Sequence, residues 1–113
     1  MATLPAGVTV FGPLPVPAGT QRFGLLTAIE NWPTANTGII ATLVLELSFD
    51  SGGTWREVAR FQYTGGLNPR TGLPPLGPHP SYALSNPAPA GLLFRVTVDL
   101  AQSLTGTGTL EIS

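Results

Sequence analysis

The segment Ser48-Phe49-Asp50-Ser51-Gly52-Gly53-Thr54-Trp55 separates two runs of alternating apolar residues, Ile40 to Phe49 and Trp55 to Tyr63. Alternation with a period of two buries one face of an extended strand. An Asp/Ser/Gly cluster between two such runs reads as the turn of a β-hairpin. The turn chemistry is local: Asp50 can accept hydrogen bonds from backbone N–H groups two or three residues on, and Gly52 and Gly53 supply positive φ. Trp55 opens the return strand with a large apolar body, which places it in the hairpin core.

The rest of the chain follows the same grammar. Residues 1–19 carry Pro5, Pro13, Pro15 and Pro17, which leaves room for a short strand at Val8–Phe11 and otherwise extended chain: an N-terminal arm or an edge strand. Arg22 to Ile29 alternates, with Phe23, Leu25, Thr27 and Ile29 on one face. Ile39 to Phe49 is the strongest strand, setting Leu43, Leu45, Leu47 and Phe49 against Thr42, Glu46 and Ser48. Its return, Thr54 to Tyr63, alternates except where Glu57 and Val58 interrupt the pattern. Residues 65–80 hold five prolines in sixteen positions and read as a stiff contact loop. Short strands are expected at Ser81–Leu84, at Leu92–Leu100 with Phe94, Val96, Val98 and Leu100 inward, and at Gly108–Ser113 after a turn over Gln102–Gly106. No stretch shows a convincing helical period. The expectation is an all-β antiparallel sandwich, jelly-roll or immunoglobulin-like, of six to eight short strands, with residues 20–113 as its single domain.

Composition bounds function. At 113 residues the chain can bury one core without staples, and it has no cysteine for a disulfide or a thiolate metal site. Only 10% of its residues are charged, against about 25% in ordinary soluble domains. The basic residues are five arginines and no lysine, and the net charge of −1 offers no footprint for nucleic acid or an anionic membrane. No apolar run approaches the roughly 20 residues of a spanning helix, and Met1–Pro5 lacks the basic start of a signal peptide. So neutral a surface is either built of Ser, Thr, Gly and Pro or is covered in an assembly.

Nothing in the pattern nominates a reaction. His79 is the single histidine and lies between two prolines, too few ligands for a His-based zinc site. Glu30, Glu46, Asp50, Glu57, Asp99 and Glu111 fall singly, without acid/base spacing, and Ser48 has no nucleophile-elbow context. Catalytic residues, metal and cofactor are all expected to be absent, and the chain is expected not to be an enzyme.

Ser48-x-Asp50-x-Gly52-x-Thr54-Trp55 matches in full the Asp-box pattern of sialidases and related β-propellers. There the motif is a structural hairpin turn, repeated once per blade. One copy in a chain this short resembles the turn, not the propeller, and implies Asp50 as backbone acceptor, Gly52 as the tight position and Trp55 packed beneath.

The wider layout is a proline-rich lead, this hairpin, a long Gly/Pro loop and a closing Phe94-Arg95-Val96-Thr97-Val98 strand. It resembles small β-sandwich structural proteins of tailed bacteriophages, head decoration or tail components. The resemblance implies a virion subunit that works as copies bound to one another, with a trimer favoured for three-fold positions, and to a major capsid or other virion protein. The residues offered for such contacts are Pro13, Pro15, Pro17, Arg70, Leu73, Leu76 and His79. The alternatives are a phage tail or baseplate subunit and a carbohydrate-binding module. The module would stack sugars on Trp32, Tyr63 or Tyr82.

Overall fold

The computed structural model describes residues 3–33, 38–66 and 79–113. Eight strands make up the fold: β1 (Thr3–Leu4), β2 (Gly7–Pro15), β3 (Arg22–Ile29), β4 (Ile39–Ser48), β5 (Arg56–Thr64), β6 (Ser81–Ala83), β7 (Leu93–Leu100) and β8 (Leu104–Ile112). They form two four-stranded antiparallel sheets, ordered β1-β8-β3-β6 and β2-β7-β4-β5. No helix occurs among the described residues. The chain is an all-β sandwich.

The inner faces are the alternating residues. Phe23, Leu25, Thr27 and Ile29 of β3 are buried, as are Leu43, Leu45 and Leu47 of β4 and Phe94, Val96, Val98 and Leu100 of β7. The rings of Phe23 and Phe94 meet at 5.1 Å between centroids, one from each sheet, and tie the two layers at the centre.

Three irregularities follow from register. Leu45 faces Ala59 while Glu46 faces Glu57, so Val58 is an extra residue in β5 and the break in alternation at Glu57–Val58 is a β-bulge. A second bulge lies between Ile39 and Ala41, which lets the consecutive Ile40 and Ala41 both be buried. In β2 the register slips between Phe11 and Leu14, at Gly12–Pro13, where Gly12 has φ +104°.

Three expectations need correction. Phe49 does not share the inner face of β4: the strand ends at Ser48, and Phe49 is 56% exposed at the turn. The last strand begins at Leu104 rather than Gly108, so the expected turn over 102–106 is mostly strand. Glycine is depleted in strands because it has no side chain to pack, but here its smallness is what the packing requires. A Cβ on Gly106 would sit 2.1 Å from the Ala28 carbonyl oxygen, and one on Gly108 would sit 3.0 Å from the Phe11 ring. Finally, strand geometry in the N-terminal segment runs through Gly7–Pro15, well beyond Val8–Phe11, with β2 paired along β7.

Candidate functional site

The hairpin between β4 and β5 is held by two side chains that serve several donors. Asp50 Oδ1 accepts the Thr54 N–H at 2.7 Å and the Ser48 hydroxyl at 2.9 Å. Ser48 Oγ in turn accepts the Gly52 N–H at 2.8 Å. Ser48 is fully buried, and only a small hydroxyl residue fits that place while both donating and accepting. These bonds favour the ionised carboxylate and hold the Asp50 pKa below the ordinary 3.8, the Thr54 backbone bond contributing most and the Ser48 hydroxyl next. Positive φ falls on Ser51 (+59°) and Gly52 (+93°), not on Gly53. Gly53 serves a different need, because a Cβ there would press on the Asp50 carboxylate at 3.3 Å.

Trp55 is half-buried and lies outside the core. Its ring packs on the outer face of the sheet under Arg95, whose guanidinium carbon stands 4.1 Å from the ring centroid. Arg95 and Glu46 are direct cross-strand partners on β7 and β4. Arg95 donates from Nε and Nη2 to the two Glu46 carboxylate oxygens at 3.1 and 3.4 Å, and the Thr97 hydroxyl donates to Oε1 at 2.7 Å. Next to them, Arg60 and Glu57 pair on the edge strand β5 at 2.6 Å, and the bonded carboxylate raises the Arg60 pKa. These four charges are therefore used within the chain.

Of the residues offered for contacts, Pro13 and Pro15 lie exposed on β2 and Pro17 lies exposed just beyond it. His79 is exposed and paired through Nε2 with Glu111 on β8 at 2.5 Å, beside a cleft of about 260 Å³ that Arg22 and Ser81 also line. Arg70, Leu73 and Leu76 lie outside the described residues.

Of the residues offered to a sugar, Trp32 is 8% exposed and belongs to the core. The Glu30 N–H donates to the Thr105 carbonyl and Asn31 Oδ1 accepts the Thr105 N–H, which pins the segment leaving β3 against β8 and turns the indole inward. Trp32 Nε1 is buried without an acceptor among the described residues. Tyr63 and Tyr82 are half-buried and pack on the core, with burial raising the Tyr63 pKa. The open aromatic is Phe49, which with Asp50, Thr54 and Arg56 lines a shallow depression of about 160 Å³. Its position one residue before Asp50, at the mouth of the turn, was the only sequence signal for its exposure.

No group of three or more His, Asp or Glu side chains among the described residues is placed to hold a metal ion. Comparison of the chain with protein-family models, with curated proteins and with solved structures finds no match.

Proposed function

We propose that this chain is a non-enzymatic structural subunit of a tailed-phage virion, a head decoration protein that self-associates and binds a major capsid protein. The observation that carries the reading is the character of the surface. Leu26, Ile39, Phe49, Val8 and Val10 are all exposed. Residues 1–21 contain no ionisable side chain at all. Four of the outer-face charges are consumed in the Arg95–Glu46 and Arg60–Glu57 pairs. A surface of this kind gains by being covered, and rigid proline-bearing segments lose little entropy when they are. The exposed Pro13, Pro15 and Pro17 of the N-terminal segment are one contact strip of this reading, and residues 65–80, most of which lie outside the described residues, are offered from the sequence as the other.

The test is co-sedimentation of the purified chain with assembled heads and, separately, with tails of the phage that encodes it. Saturable binding to heads supports decoration, and binding to tails alone moves the protein to the tail or baseplate. Binding to neither overturns the virion reading.

Phe49 favours a second reading, a carbohydrate-binding module, because an exposed ring beside a carboxylate and a guanidinium is a fit for a sugar face and its hydroxyls. Glycan-array binding that disappears in Phe49→Ala supports it, and an array without signal removes it.

A further inference from the structure

We infer that β2 is the edge on which two copies of this chain join, strand against antiparallel strand, about a twofold axis at Thr9. The inference takes up the self-association in the proposal above and commits it to one geometry, a dimer rather than the favoured trimer.

An open sheet edge exposes unpaired N–H and C=O groups, and proteins guard such edges by shortness, charge, proline or bulges. Four strands end the two sheets: β1, β6, β5 and β2. β1 has two residues and β6 has three. β5 has nine, and it bears Arg56, Glu57 and Arg60 and the bulge at Val58. β2 also has nine residues but guards only its second half, with the bulge at Gly12–Pro13 and with Pro15. Its first half, Gly7 to Phe11, runs in unbroken register along β7 from Leu100 to Val96. That half contains neither proline nor charge. No described strand pairs with its outer side.

The five residues are self-complementary about their centre. Val8 and Val10 face outward, opposite Asp99 and Thr97, and are 66% and 46% exposed. Thr9 and Phe11 lie on the other face, opposite the buried Val98 and Val96. With the axis at Thr9, Val8 of each copy meets Val10 of the other, Thr9 meets Thr9, and Gly7 meets Phe11. β-branched pairs, a Thr–Thr pair and an aromatic beside an edge glycine are each favourable cross-strand neighbours. Moving the axis to Val8 brings Pro5 into the ladder, and moving it to Val10 brings in Pro13, where an N–H is missing. Only the Thr9 axis uses the whole proline-free run.

The two four-stranded sheets β2-β7-β4-β5 then become one continuous sheet across both copies, with a cluster of four valines on its outer face. Five residues per strand span about 17 Å. That contact is smaller than the roughly 800 Å² per partner of a standard stable interface, so the dimer is weak and concentration-dependent.

Sedimentation velocity on the full chain over a concentration series tests this, with the double variant Val8→Lys/Val10→Lys beside the wild type. The expected result is a wild-type monomer–dimer equilibrium and a variant that stays monomeric with an unchanged β circular-dichroism spectrum. A wild type still monomeric at about 1 mM, the weak end of specific association, overturns the inference. So does a trimer, or a dimer that the folded variant retains. If the variant does not fold, amide exchange of the wild type decides. Protection within residues 7–11 that rises with protein concentration supports the edge, and unchanged protection there rejects it. Shell binding is read separately, so a trimer that decorates heads rejects the twofold edge and leaves the virion reading standing.

Discussion

The guanidinium of Arg95 lies over the Trp55 ring at 4.1 Å while holding both carboxylate oxygens of Glu46, so one side chain of β7 joins the base of the hairpin to the centre of the sheet. The pair is mostly covered, with side-chain exposures of 28% for Arg95 and 16% for Glu46. Cover of that degree makes loss of one partner costly, because the other is left partly desolvated and alone.

Arg95→Ala is expected to destabilise the fold by about 2 kcal/mol, and Arg95→Lys by about 1 kcal/mol, since lysine keeps the charge and loses the fork and the ring stacking. Urea denaturation measures both. A double-mutant cycle with Glu46→Ala should show a coupling of about 1 kcal/mol. Additive effects at the two sites would refute the network.

Asp50 gives the hairpin an acid limit. Its folded pKa lies below 3.8 because the Thr54 N–H and Ser48 hydroxyl bond the ionised form. The stabilisation is therefore complete above 3.8 and is lost as pH falls from there through the lowered folded value. Asp50→Asn should lower the urea midpoint at pH 7, and the gap between variant and wild type should close in that acid window. A gap that stays constant with pH would show that the carboxylate charge plays no part.

Gly106 and Gly19 are glycine for different reasons, and alanine substitutions separate them. At Gly106 the new Cβ would meet the Ala28 carbonyl oxygen at 2.1 Å, a backbone atom that cannot step aside without breaking the β3–β8 ladder. Gly106→Ala should cost about 3 kcal/mol or more. At Gly19, with φ +94° and open space around it, the cost is the left-handed backbone alone, about 1 kcal/mol. Thermal unfolding that ranks the two equally would contradict the close approach.

Trp32 carries a buried indole N–H without an acceptor among the described residues. Trp32→Phe removes that donor and keeps an aromatic ring, so its stability should match the wild type within about 1 kcal/mol. Trp32→Ala should cost about 3–5 kcal/mol by emptying the site. A Phe variant as damaged as the Ala variant would mean that the indole nitrogen is bonded.

Much of the fold was legible because burial on one face of a strand leaves a period-two trace. Phe23, Leu25, Thr27 and Ile29 lie inward, as do Leu43, Leu45 and Leu47 and the alternating residues of β7. Where the trace misled, a tertiary neighbour outweighed the local preference. Gly106 looks like a turn residue and sits in a strand, where β3 comes so close that a side chain would meet the Ala28 backbone. Trp32 looks like a loop aromatic free to stack on a sugar and is core, because its segment is bonded back to β8. Trp55 looks like hairpin core and is a platform for an arginine 40 residues further along the chain.

The hairpin marks the boundary between the two kinds of information. Of the six strand pairings among the described residues, only β4 with β5 joins strands consecutive in the chain. That pairing was readable from Ser48 to Trp55, since its turn is made by bonds between residues two to four apart. Local pattern in the chain was therefore enough for most of the strands, most of their inward faces and this one turn. Which strand lies beside which, where β5 and β2 bulge, and that Arg95 meets Glu46 and Trp55 were decided by the tertiary structure. Those contacts join residues distant in the chain, and only the packing of two sheets into one core selects among the registers that the pattern permits.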